Sequence, residues 1–159
     1  MSTAMCLRLS QRRATISDGA ARIMVIDDDT RSGPALEALL SANGWDARHV
    51  NGAQQALAQL RSWTPHLFIV DVTMPEKDGF AVAQLLRSMH ASRNAPLIAY
   101  TSLSTDDLRE RASLEDFDGY CQKGSPPDGL LELIAGFFLE SGEAGNGVAG
   151  NQAAPAGEK

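Results

Sequence analysis

Leu67-Phe68-Ile69-Val70 is an unbroken apolar run that ends on a single carboxylate, Asp71, and then breaks into a loop carrying Met74-Pro75 and Asp78-Gly79. A run this short and this uniformly apolar reads as a strand buried on both faces, the pattern of strands in the middle of a parallel sheet. Further strand-like runs lie at 22–26, 45–50, 97–100 and 120–122. Between and after them come segments of helical spacing at 35–42, 53–60, 79–90 and 106–114, and a last one from Pro126-Pro127 to Phe138. Strict alternation with short connections implies an α/β fold: a doubly wound five-stranded parallel sheet flanked by five helices. The 45–50 strand alternates in character and suits a sheet edge.

The punctuation agrees with these elements. Asn43-Gly44 ends the first helix, Pro34 lies in its first turn, and Asn94-Ala95-Pro96 breaks the third. One domain over 21–140 accounts for the periodic part of the chain. Residues 1–20 lack sustained periodicity and read as a flexible leader, and residues 141–159 are rich in Gly and Ala and read as a disordered tail.

Charge excludes some functions. Residues 21–141 hold ten basic and seventeen acidic side chains, whereas 1–20 hold three arginines against one aspartate. An acidic domain is a poor partner for nucleic acid, which needs clustered Lys and Arg. No apolar run approaches the roughly 20 residues of a membrane helix. Cys6 and Cys121 are too few and too far apart for a disulfide framework or a metal cluster, and two isolated cysteines fit a reducing cytoplasm.

The strand ends carry the chemistry. The first strand runs into Asp27-Asp28-Asp29, the third ends on Asp71, the fourth on Thr101-Ser102 and the fifth on Lys123-Gly124. Ligand chemistry in open α/β sheets sits just outside these carboxyl ends. Adjacent carboxylates repel, and a helix cap accounts for one of them, Asp29 or Thr30 taking that position. A divalent cation would offset the repulsion among the rest.

In this order, an acid pair, an acid, a hydroxyl and a lysine, the chain resembles the response regulator receiver domains of bacterial two-component systems, in their single-domain, chemotaxis-regulator-like form. The likeness runs from about Arg22 to Leu139. It rests on Ile23-Met24-Val25-Ile26-Asp27-Asp28-Asp29, Ile69-Val70-Asp71-Val72-Thr73-Met74-Pro75 with Asp78-Gly79, Thr101-Ser102, and Tyr120 ahead of Lys123. The resemblance implies a flavodoxin-like (βα)5 fold and a switch rather than a turnover enzyme. Asp71 is then the phosphoacceptor. Asp27, Asp28, Asp71 and the backbone carbonyl of Thr73 hold Mg²⁺, Thr101 and Lys123 attend the phosphoryl group, and Tyr120 relays the change.

The partners so implied are a sensor histidine kinase or phosphotransfer protein upstream and a downstream protein. The downstream protein, or a second copy in a homodimer, would meet the fourth helix, fifth strand and fifth helix. The last helix, apolar through Leu131, Phe137 and Phe138, is expected to expose a patch there. The chain as a whole is expected to be a stand-alone cytoplasmic receiver.

Two positions depart from the family pattern. Gly124 stands where a proline usually follows the lysine, so the loop is expected to take another course. Leu103, two residues past Thr101, is apolar where attacking water would approach. Two other readings compete: a Mg²⁺-dependent haloacid-dehalogenase-type phosphohydrolase, which wants a second Asp where Thr73 stands, and a pseudo-receiver that binds without switching.

Overall fold

The computed structural model describes residues 6–17, 19–73, 79–104, 106–107 and 114–140. Its strands are β1 (Cys6–Arg8), β2 (Ala14–Ile16), β3 (Arg22–Ile26), β4 (Asp46–Val50), β5 (Leu67–Val70), β6 (Leu97–Thr101), β7 (Gly119–Gln122) and β8 (Phe138–Glu140). Its helices are α1 (Ser32–Ala42), α2 (Ala53–Leu60), α3 (Gly79–Ser88) and α4 (Pro127–Phe137).

Five strands run parallel in the order β7-β6-β5-β3-β4, with β4 at the edge as its alternating pattern suggests. β3 and β5 lie centrally because nearly every side chain on them is apolar, and two layers bury them. Met24, Ile26, Phe68 and Val70 face one layer, with Val82 and Leu86 of α3. Ile23, Val25, Leu67 and Ile69 face the other, with Leu36 and Leu40 of α1 and Ile134 and Phe137 of α4. The chain turns to opposite sides after β3 and after β5, so the ends of these neighbouring strands flank the switch point where such sheets open a crevice.

Three sequence expectations need correction. First, the sheet has six strands among the described residues, and a separate two-stranded sheet joins β2 to β8. Two of the three extra strands come from the expected flexible leader: β1 adds antiparallel to the outer edge of β7, and β2 runs parallel to β8, which follows α4. Three-residue strands are too short to show periodicity, so their docking could not be read from the sequence.

Second, Cys6 faces Cys121 across the β1–β7 pair, and the two are joined as a disulfide. Their sequence separation of 115 residues conceals a pairing that depends on strand register.

Third, the last helix does not present its extra apolar face to solvent. Phe137 is buried, with the Arg8 guanidinium 4.1 Å from its ring centroid. Phe138 belongs to β8 rather than to the helix and meets Trp45 edge-on at 6.0 Å. The large apolar side chains left exposed among the described residues are instead Leu7 and Leu9, at 40% and 41%. α4 is apolar on two faces because one packs on the sheet and the other lies under the N-terminal arm.

The third helix ends at Ser88, two residues early. Most of the expected 106–114 helix and the loop 74–78 lie outside the described residues.

Candidate functional site

The sheet itself places the acids. The Asp27 N–H bonds Val50 O at 3.1 Å and the Asp71 N–H bonds Ile26 O at 2.9 Å, so each carboxylate follows directly from a strand whose ladder is complete to its last residue. Asp27 and Asp71 are buried and Asp28 is exposed. Ligand oxygens of all three lie within 4.8 Å of one another. Asp29 turns away from this cluster. Its Oδ1 accepts the N–H groups of Arg31 and Ser32 at 2.7 and 3.1 Å, capping α1 and holding the Asp29 carboxyl below its usual range.

Lys123 arrives from the far side of the sheet. Its N–H bonds Thr101 O at 2.8 Å, and the following Gly124 takes φ +93°, a left-handed turn that glycine adopts without steric cost. The turn aims Nζ into the acids, 2.9 Å from Asp27 Oδ2 and 3.1 Å from Asp71 Oδ2. Burial alone would lower the Lys123 pKa. The hydrogen bond to Asp27 and the charges of Asp71 and Asp27 outweigh it, and the net shift is upward. Asp28 is also shifted up, by desolvation first and then by repulsion from Asp71 and Asp27.

Asp71 Oδ1 accepts both the N–H and the hydroxyl of Thr73, at 2.9 and 2.7 Å. Thr101, fully buried, accepts the Leu103 N–H at 3.3 Å. The Tyr120 hydroxyl donates to Leu103 O at 2.6 Å, which ties the buried ring of β7 to the loop after β6. The resulting donor set is three carboxylates with one ammonium beside them. Clustered hard oxygen ligands fit Mg²⁺, and the ammonium fits an anion held against that cation.

The response regulator receiver domain family matches residues 23–135. This chain belongs to that family. A receiver is a signalling domain, so the chain is classed with signalling domains rather than with catalytic enzymes. It is 31% identical over 117 residues to a 14.6 kDa protein of Leptolyngbya boryana, covering 74% of this chain and 89% of that one. It is 32% identical to the response regulator MprA of Mycobacterium ulcerans, covering 82% of this chain but only 57% of MprA. Among solved structures, TrrA of Thermotoga maritima in complex with Mg²⁺-BeF superposes with a TM-score of 0.64 at 28% identity, over 72% of this chain and 96% of TrrA.

Ser32, His49 and Gly33 escape sequence reasoning, and Gly79, part of the motif quoted above, gains its physical reason only from the fold. Ser32 Oγ donates to Asp27 Oδ2 at 2.6 Å and lies 3.0 Å from Lys123 Nζ, joining the acid to the lysine. Its only sequence signal is a hydroxyl in the first turn of α1. His49 Nε2 lies 2.6 Å from Asp27 O, in space left by Gly33, where a Cβ would come within 2.2 Å of that nitrogen. Gly79 is explained in the same way: a Cβ there would stand 2.4 Å from Asp71 O, so α3 can start against the acid only if residue 79 has no side chain. No helix among the described residues is long and apolar enough to cross a membrane.

Proposed function

We propose that this receiver is a phosphoacceptor and that Asp71 takes the phosphoryl group. The observation that carries the reading is the convergence of Asp27, Asp71 and Lys123 Nζ within 3.1 Å, with Asp28 beside them. A carboxylate oxygen of Asp71 attacks phosphorus, and the bond from phosphorus to the donor breaks. For a phosphohistidine donor the imidazole nitrogen keeps the electron pair and takes up a proton.

Asp27, Asp28, Asp71 and the carbonyl of Thr73 would hold Mg²⁺, which supplies the positive charge that lets an anion approach three acids. Lys123 then trades its contact with Asp71 for a phosphoryl oxygen. Thr101 offers its hydroxyl proton to another, since the Leu103 N–H occupies only one of its acceptor positions. Movement of the Thr101 loop pulls on Leu103 O and so on Tyr120. Thr73 stands where a haloacid-dehalogenase-type hydrolase would need its second aspartate, and it donates twice to Asp71, so acceptance rather than turnover suits this site.

Upstream, the partner of this reading is a sensor histidine kinase or a phosphotransfer protein. Downstream, the partner of this reading is a protein that meets the expected fifth strand and fifth helix, β7 and α4. Incubation with acetyl phosphate and Mg²⁺, followed by intact mass, tests the core of the proposal. The parent chain gains one phosphoryl mass and Asp71→Asn gains none. An adduct of full yield on Asp71→Asn moves the nucleophile elsewhere. No adduct on the parent, from either a small donor or a phosphohistidine protein, leaves a module that does not switch.

A further inference from the structure

The face of α4 that meets the N-terminal arm carries two glycines seven residues apart, Gly129 and Gly136. A Cβ on Gly129 would lie 3.4 Å from Cys6 Sγ, and one on Gly136 would lie 3.3 Å from Arg8 Nη1. Both distances are at or near ordinary contact, so β1 lies directly against this side of the helix.

The arm is fastened in two ways. Non-covalently, Leu9 and Ser10 N–H groups bond Asp118 O, and Ser10 Oγ and Arg12 Nε reach Asp118 Oδ1 at 2.6 and 2.9 Å. Arg8 Nη1 bonds Gly136 O at 2.9 Å. Covalently, Cys6 is joined to Cys121 directly opposite it in the β1–β7 register.

The two sulfurs differ in access. Cys121 is fully buried, whereas Cys6 is half-buried and lines a surface cleft of about 360 Å³ together with Arg8, Gly129, Glu132, Leu133 and Gly136. A thiol-sized reagent therefore has a route to one sulfur.

We propose that Cys6 and Cys121 form a thiol–disulfide exchange site, entered by a low-molecular-weight thiol through this cleft, and that its redox state decides whether the N-terminal strand is locked over the edge of β7. The thiolate RS⁻ attacks Cys6 Sγ, the Cys6–Cys121 bond breaks, and Cys121 leaves as a thiolate that takes a proton. A second RS⁻ attacks the mixed disulfide at its R sulfur, giving RSSR and the Cys6 thiolate, which is protonated in turn. In sum, the protein disulfide and two RSH become two protein thiols and RSSR. The reverse uses RSSR as oxidant.

Once reduced, a three-residue strand is held by reversible contacts alone, among them the Arg12–Asp118 pair, whose carboxylate is buried and whose guanidinium keeps 36% of its exposure. Release of the arm uncovers the outer N–H and C=O groups of β7, an edge open to another strand. Nothing in this device requires Asp71 to be phosphorylated.

The test uses the full chain poised with oxidised or reduced glutathione. The oxidised protein has no alkylatable thiol and the reduced protein has two. Trypsin cleavage after Arg8 or Arg12 leaves the Cys6-bearing N-terminal peptide attached to the oxidised protein until a reductant is added. Amide exchange over 6–16 and 119–122 rises at least tenfold on reduction, and Cys6→Ser shows the fast exchange under either poise. Gly129→Leu, which fills the cleft, slows reduction by glutathione at least fivefold while leaving exchange in the oxidised form unchanged. Two alkylatable thiols under the oxidised poise overturn the site. Equal exchange in both redox states overturns the lock, and undiminished reduction of Gly129→Leu overturns the entry route.

Discussion

Lys123→Met removes the one ammonium among the described residues that reaches both Asp27 and Asp71. Taking away one partner of a buried ion pair costs about 3–5 kcal/mol, because the remaining charges lose their compensation. The lysine side chain keeps 20% of its exposure, so water recovers part of the loss. The low end, about 3 kcal/mol for the metal-free protein, is therefore expected. The same substitution removes a competitor for the carboxylate oxygens that a cation needs. Mg²⁺ at 100 times its dissociation constant stabilises a protein by about 2.7 kcal/mol, and each tenfold gain in affinity adds about 1.4 kcal/mol. The variant should thus lose more than the parent without Mg²⁺ and gain more with it, by at least that last figure. Urea unfolding with and without saturating Mg²⁺ measures all four states. A metal-free variant that unfolds at the parent's midpoint refutes the pairing. An equal Mg²⁺ gain in both proteins refutes the competition.

Three further outcomes follow from the same site. The Asp28 carboxyl is shifted upward, so its effect on stability is favourable below the ordinary carboxylate range and is lost as pH rises through the raised value. Asp28→Asn should therefore make the metal-free protein more stable at neutral pH, the difference closing as pH falls toward that range, while its gain from Mg²⁺ shrinks. Gly79→Ala puts a methyl 2.4 Å from Asp71 O and should cost about 1–3 kcal/mol in thermal unfolding, with slower phosphorylation from acetyl phosphate because the acid is displaced. Leu103 cannot orient water, so Leu103→Gln should shorten the lifetime of the phosphorylated protein several-fold by intact mass. An unchanged lifetime removes residue 103 from the path of the attacking water.

Much of this was legible in the sequence because it follows from periodicity and from strand ends. The apolar runs of β3 and β5 could only be central strands, and a parallel sheet then brings their terminal acids to one edge. Lys123 was legible for the same reason, although the turn that carries it uses Gly124 where the family has proline. What was not legible depends on register or on close approach. Ser32 reaches Asp27 only because the cap by Asp29 fixes the first turn of α1. The roles of Gly33 and Gly79 are visible only once His49 and the Asp71 backbone are in place. The N-terminal strands carry no pattern of their own, so the sequence shows the apolar patch of α4 without the arm that lies against that helix.

β7 joins these parts. Alternation along a strand sends neighbouring side chains to opposite faces, and this strand uses both and then its tip. Tyr120 enters the layer of α2 and α3 and ends at Leu103 O, in the loop that Thr101 begins. Cys121 enters the layer of α1 and α4 and is tied to the arm. Lys123, just past the strand end, holds the acids. A shift of β7 along its axis cannot satisfy one of these contacts without straining the others, since the strand is only four residues long. A cation or phosphoryl group that draws on Lys123 therefore acts on the same short strand whose outer edge the arm covers. Fastening the arm through Cys121 should resist that movement, which makes the rate of Asp71 phosphorylation under oxidising and reducing poise the most direct measure of whether the two ends of β7 are coupled.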